Sequence, residues 1–288
     1  VQSLPKTLYR YRPCNGDHFD KELEALGEGK AWLSPLANQN DPFEGQPHIV
    51  ASNKREFDDF LDEVRERLGS QAGFDGKLEG VFPPGMSDSD AKAKWRRKSY
   101  QFERAKGAIS GLGQEIPQRT KVACFCENDR SPLMWAHYAN SHQGVCLEFH
   151  LNKSDRDNDL IWGKVEYVGP NMKKKIRPEL NFVNLWKHYF ATQDVFVNSN
   201  ANIRRVTNAF VLSKSEDWAY EKEWRIFQTW KPAGYFTVPR YRLGAVILGL
   251  RTPSDVEAKL KMALGNTVLF KRMKPKGDAY EFYIEDEV

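Results

Sequence analysis

The sequence predicts an α+β fold: a twisted, mixed or mainly antiparallel sheet split in two halves and interrupted by helical insertions. Two observations carry this. Apolar runs of strand length recur in the first, middle and last parts of the 288-residue chain, and amphipathic stripes at helical period separate them. No apolar run approaches the ~18 residues that a membrane-spanning helix requires. The 40% hydrophobic and 12% aromatic content is enough for a substantial core. We expect one domain over 1–288, with insertions at about 53–112 and 181–212.

Leu8 to Arg12 predicts a first strand, His18 to Leu26 a helix and Ala31 to Ser34 a second strand. The turn formers Asn38-Gln39-Asn40-Asp41-Pro42 follow. Phe57, Phe60, Leu61, Val64 and Leu68 form a stripe at helical period, and a basic helix carrying Lys92, Lys94, Arg96, Arg97, Lys98, Arg104 and Lys106 comes next. Val122 to Glu127, Val145 to Leu151 and Ile161 to Val168 read as strands, with a short helix over Pro132 to Asn140. Helix is expected through Asn181 to Leu212. Strands then follow at Trp224 to Trp230, Tyr235 to Val238 and Ala245 to Leu248. Thr252-Pro253-Ser254-Asp255 predicts a helix start capped by Thr252, and Val268 to Phe270 and Tyr280 to Ile284 close the chain as strands.

Four cysteines in a chain this long make no disulfide framework, which predicts a reducing, cytoplasmic setting. The N-terminus lacks a charged-then-apolar signal pattern, and no membrane partner is expected. A net charge of +4 permits a nucleic-acid partner without requiring one.

Four segments concentrate chemically capable residues. In Tyr9-Arg10-Tyr11-Arg12, strand period puts both arginines on one face, suited to phosphate or carboxylate, although a solvated edge strand has the same pattern. In Asn40-Asp41-Pro42-Phe43-Glu44, a structural turn accounts for Asp41 and Pro42, while presenting its amide to a ligand is an alternative role for Asn40. Cys124-Phe125-Cys126 precedes Ser131-Pro132-Leu133-Met134-Trp135-Ala136-His137-Tyr138, with His142 and Gly144 beyond. A zinc set of Cys124, Cys126, His137 and His142 is conceivable, but the spacing is unlike common zinc sites and no metal is expected. Trp135 and Tyr138 share one side of a helix, as core or as the wall of a pocket for a planar ring. Finally, Glu221 and Glu223 lead into an apolar strand. Placed on one face, they would perturb each other's pKa. As a plain strand end they would pair with Lys222 and Arg225.

Together these blocks resemble the bacterial family called domain of unknown function 2971. More remotely, the order of a Tyr-Arg strand, a Ser-Pro-Leu-Met-Trp helix and a Glu-x-Glu strand resembles the ADP-ribosyltransferase fold, in its DNA-modifying toxin branch. That resemblance implies NAD-dependent ADP-ribosyl transfer to a macromolecular acceptor, nucleic acid or protein, as in a toxin or phage-defence effector. It implies Glu223 as the catalytic glutamate, with Glu221 beside it. It implies an NAD site on Arg10, Ser131, Met134 and Trp135, and we expect Tyr9, Arg12, Asn40 and Tyr138 to complete it. The alternatives are a metal-dependent nuclease using Glu221, Glu223 and Asp41, and a non-enzymatic ligand- or nucleic-acid-binding module.

Overall fold

A computed structural model describes residues 3–46, 48–49, 55, 116–152, 160–169, 175–176, 208–229, 232–238 and 240–286. The chain forms two compact units, one of residues 1–44, 117–171 and 211–288, the other of 45–116 and 172–210. The stretches expected as helical insertions, 53–112 and 181–212, fall almost wholly outside the described residues, as does the basic helix from Lys92 to Lys106.

In the first unit, β1 (Thr7–Arg12) alternates buried and half-buried residues, and α1 (Asp17–Gly27) turns Phe19, Leu23 and Leu26 inward. β2 (Lys30–Pro35) follows. In the second unit, the described strands are β3 (His48–Ile49) and β8 (Lys175–Ile176), paired in parallel. The first unit continues with β4 (Thr120–Cys126), α2 (Pro132–Tyr138), β5 (Val145–Leu151), β6 (Ile161–Lys164) and β7 (Glu166–Val168). β9 (Ser213–Ser215), a 3₁₀ turn at Glu216–Glu221, β10 (Glu223–Thr229) and β11 (Gly234–Thr237) come next. β12 (Tyr241–Leu248), α3 (Ser254–Leu264), β13 (Leu269–Pro275) and β14 (Phe282–Asp286) finish it.

The main sheet is mostly antiparallel. One arm runs β1-β5-β12-β13-β14, with only the β12–β13 contact parallel. The other carries β6, β10 and β4 in antiparallel register, with β2 and β11 on the far side of β4. The arms meet through β1 and β4 at a single registered pair, Tyr9 with Cys126, whereas β1 and β5 pair from Thr7 to Arg12. Strands that touch at one pair and then diverge leave a gap, and the candidate site lies there.

One core cluster joins Leu8, Leu33, Phe125, Leu147, Phe149, Ile226, Val246 and Leu260. A second, across the sheet, joins Tyr11, Cys126, Met134, Trp135, Cys146 and Ile247. Period-two alternation in β5 divides its residues between them, Leu147 and Phe149 to the first and Cys146 to the second.

Several local expectations need correction. The helix expected to Asn140 ends at Tyr138, because Asn140, Ser141 and His142 all take left-handed φ values (47°, 52° and 70°). Three such non-glycine residues in succession are costly and cannot continue a right-handed helix. Gly144 then has to be glycine, since a Cβ there would lie 2.0 Å from the Arg12 carbonyl oxygen. Thr252 does not cap α3. Its hydroxyl accepts from the Gly249 amide (2.7 Å) and donates to the Gly144 carbonyl (2.8 Å), which ties the end of β12 to the turn before β5. The strand expected over Ile161 to Val168 breaks at Val165, whose amide bonds to the Glu223 carbonyl instead.

Candidate active site

Between the splayed β1 and β4 lies a cleft of about 190 Å³. It is lined by Tyr9 to Arg12, Trp32, Ser34, Gln39, Asn40, Val122 to Cys126, Met134, Tyr138, Lys214, Glu221 and Glu223. Three of the four segments singled out in the sequence therefore share it with Asn40 of the remaining one.

Its acidic end is a buried ion cluster. Lys214 Nζ lies 2.7 Å from Glu221 Oε2, 3.2 Å from Glu44 Oε1 and 3.6 Å from Glu223 Oε2. Arg225 grips Glu223 with two bonds (Nε 2.7 Å, Nη2 2.9 Å), reaches Glu44 Oε1 at 2.9 Å and bonds the Val211 carbonyl at 2.6 Å. Three carboxylates thus face two cations, all five side chains being almost wholly buried. Removing such charges from water costs several kcal/mol per ion, so the cluster is poorly explained as a stabilising device.

The excess negative charge divides the carboxylates. Burial opposes ionisation of Glu223, but Arg225 and then Lys214 overcome it and hold its carboxyl down to about 2. Burial lifts Glu221 above the usual carboxylate range; Lys214 opposes that rise and Glu223 adds to it. Glu44 is raised as well, by burial first, with Arg225 opposing and Glu223 reinforcing. Glu223 is a fixed anion, and Glu221 and Glu44 are the groups whose proton can move. Glu44 Oε2 and Asp41 Oδ2 are buried without a hydrogen-bond partner among the described residues.

Glu221 and Glu223 do not lie on one straight strand. Glu221 ends the 3₁₀ turn, and Lys222 takes a left-handed conformation (φ 45°) before β10 begins at Glu223. That kink lets both carboxylates reach Lys214 while the Lys222 side chain stays exposed. Arg225 partners Glu223 as expected of a plain strand end, but Lys214 takes the place expected of Lys222.

At the basic end, Arg10 is buried on β1, 8% exposed. Its Nη2 donates to the Trp32 carbonyl at 3.2 Å and its guanidinium lies 5.7 Å from the Phe125 ring centre. It makes no ion pair among the described residues. Burial, then repulsion from Arg12, pushes its pKa down to about 10. Arg12, on the same strand face, is instead matched to Glu22, Nη2 to Oε2 at 2.5 Å. Among the described residues the Trp32 carbonyl is the hydrogen-bond partner of Arg10.

The other expected residues divide clearly. Tyr138 lines the cleft, donating to Glu221 Oε1 (2.5 Å) and accepting from Asn40 Nδ2 (2.7 Å). Tyr9 and Met134 line it too. Trp135 and Ser131 are not among the lining residues. Trp135 is fully buried, edge-on to Tyr11 (5.1 Å) and bonded through Nε1 to the Asp129 carbonyl (2.8 Å). Ser131 caps α2, accepting from the Met134 amide at 3.4 Å. Trp32, which sequence reasoning passed over, is an aromatic wall in their place. Lys214 was missed too, and Glu44 was noted only as part of a turn.

The conceivable zinc set does not assemble. Cys124 faces Gln39, Cys126 bonds the Asn128 carbonyl and His142 stacks on Trp135. Among the described residues no three His, Cys, Asp or Glu groups are placed to hold a metal ion. All four cysteines are free, and no described helix is long and apolar enough to cross a membrane.

Residues 134–226 match the family described as Protein of unknown function (DUF2971). This segment is similar to that family, and the rest of the chain lies outside the match. No curated protein and no solved structure matches the chain. The DUF2971 segment contains Met134, Tyr138, Lys214, Glu221, Glu223 and Arg225, which is most of the ion cluster. Arg10, Trp32, Asn40 and Glu44 lie before it, so the basic end of the cleft and one carboxylate of the cluster come from outside the matched segment.

Proposed function

We propose that the protein transfers ADP-ribose from NAD to a macromolecular acceptor, nucleic acid or protein, using the cleft between β1 and β4. The observation that carries this reading is charge of both signs in one cleft: a buried Arg10 guanidinium without a carboxylate partner among the described residues, and a cluster of three carboxylates facing two cations.

Breaking the bond from ribose to nicotinamide sends the electron pair to nicotinamide and leaves a cationic, oxocarbenium-like sugar. An anion held rigidly beside that sugar stabilises it. Glu223 meets the requirement, since Arg225 and Lys214 keep it ionised and fixed. Arg10 is suited to the pyrophosphate, and Tyr9, Trp32 and Tyr138 supply aromatic surface for a planar ring. A cleft of about 190 Å³ is below the ~300–1,000 Å³ of pockets that engulf a drug-sized ligand. It would enclose the reacting end of NAD, with the rest of the dinucleotide outside. A nuclease built on Glu221, Glu223 and Asp41 fits less well, because Lys214 and Arg225 already pair with the two glutamates and the three acids are not placed to hold a metal ion together.

Arg10→Met tests this reading through binding. Losing charge-assisted bonds to phosphate costs ~1.5–3 kcal/mol, so NAD should bind roughly 10- to 100-fold more weakly. The substitution also removes a buried cation with no ion pair among the described residues, so thermal stability without ligand should stay level or rise. Calorimetric titration with NAD beside thermal unfolding checks both. Equal NAD affinity in wild type and Arg10→Met, or no NAD binding by either, would contradict the assignment.

A further inference from the structure

The cleft holds a hydrogen-bonded chain that stabilising a ribosyl cation does not require: Asn40 Nδ2 to Tyr138 Oη at 2.7 Å, and Tyr138 Oη to Glu221 Oε1 at 2.5 Å. We propose that Tyr138 is a catalytic residue that takes the acceptor's proton as it passes its own to Glu221, with Asn40 positioning the phenol. The proposal rests on the NAD reading and adds the route by which the acceptor is deprotonated.

Hydrogen-bond geometry favours a relay to a bulky acceptor, whereas Glu223 acts on the enclosed ribose through its charge and needs no direct bond to it. Glu221 is 3% exposed, and its second oxygen is held by Lys214 at 2.7 Å, so a macromolecular acceptor has little direct access to it. Tyr138 is only half-buried and lines the cleft. A phenol oxygen carries one hydrogen and two lone pairs. The hydrogen is committed to Glu221 and one lone pair to Asn40, which leaves the second lone pair for the acceptor's O–H or N–H. Burial also keeps Glu221 a better proton acceptor than an ordinary carboxylate.

The step balances. The ribose–nicotinamide bond breaks and its electron pair leaves with nicotinamide, discharging the ring cation. The acceptor's lone pair bonds to the same carbon, and its proton moves to the Tyr138 oxygen while the phenol proton moves to Glu221 Oε1. Glu221 then releases a proton to solvent. The products are nicotinamide, the ADP-ribosylated acceptor and one proton.

Small acceptors separate this role from ring stacking. Methanol must lose a proton as it attacks; azide ion has none to lose. With wild-type protein and NAD, both the methyl riboside and the ribosyl azide should form. General-base assistance contributes ~10²–10⁴ in rate, so in Tyr138→Phe the ratio of methanol product to azide product should fall roughly 100-fold. Asn40→Ala should move that ratio the same way by less. Equal losses of both products in Tyr138→Phe, or an unchanged ratio, would overturn the relay and leave NAD cleavage standing. A wild type that forms neither product and releases no nicotinamide would overturn the NAD reading and the relay with it.

Discussion

Glu223→Gln should lower nicotinamide release from NAD by ~10²–10³-fold, the usual loss when one preorganised electrostatic partner of a transition state is removed. The amide keeps the size and much of the hydrogen bonding of the carboxylate. It removes the charge that Arg225 and Lys214 hold in place at 2.7 Å and 3.6 Å. NAD binding should change little, because the proposed phosphate partner is Arg10, at the basic end of the cleft. Arg225 is fully buried, so the variant should also lose stability. Turnover is therefore compared at a temperature where thermal unfolding shows the variant folded. Glu223→Asp, which keeps the charge but withdraws it by one methylene, should fall between the two. Wild-type turnover in folded Glu223→Gln would remove this residue from the chemistry.

Arg225→Leu should carry the largest loss of stability. It leaves Glu44 and Glu223 buried with Lys214 as their remaining cation, and breaking a buried pair from one side costs ~3–5 kcal/mol. For a chain of this size that is a fall in Tm of roughly 10 °C. Glu223→Leu in the same background should recover part of the loss, because one uncompensated charge leaves with it. The Glu223 carboxyl is held at about 2 against an ordinary 4.5, a depressed value. Its contribution is complete above about pH 4.5 and fades as the pH falls towards 2. The gap between wild type and Arg225→Leu should narrow over that window in denaturant unfolding. A gap independent of pH would mean that the pair contributes packing and not charge.

Much of the sheet was legible because its strands alternate or run apolar at strand length. β5 keeps the expected bounds, Val145 to Leu151. β13 runs well beyond the expected Val268 to Phe270 because Lys271, Arg272 and Lys274 pair in register with β14, and half-buried charged residues hide a strand from hydrophobicity. Trp135 shows the limit of helical spacing: an aromatic side chain has the same periodicity whether it fills a core or faces a ligand. Burial alone separates the two, and burial is a tertiary property. The ion cluster was hidden for a related reason. Glu44 and Arg225 are 181 residues apart in sequence, and Lys214 sits in a three-residue strand with no pattern of its own. The Glu221 and Glu223 pair stood out in the sequence, but their shared orientation on Lys214 depends on the left-handed turn at Lys222, which no propensity marks.

On the proposed reading, this cleft cleaves NAD and passes ADP-ribose on. Incubating the purified protein with adenine-labelled NAD and crude cell extract, then separating protein, DNA and RNA, tests it most directly. The account predicts release of nicotinamide and label retained in a macromolecular fraction, both strongly reduced in Glu223→Gln. Intact NAD after prolonged incubation, with no label in any fraction, would contradict it.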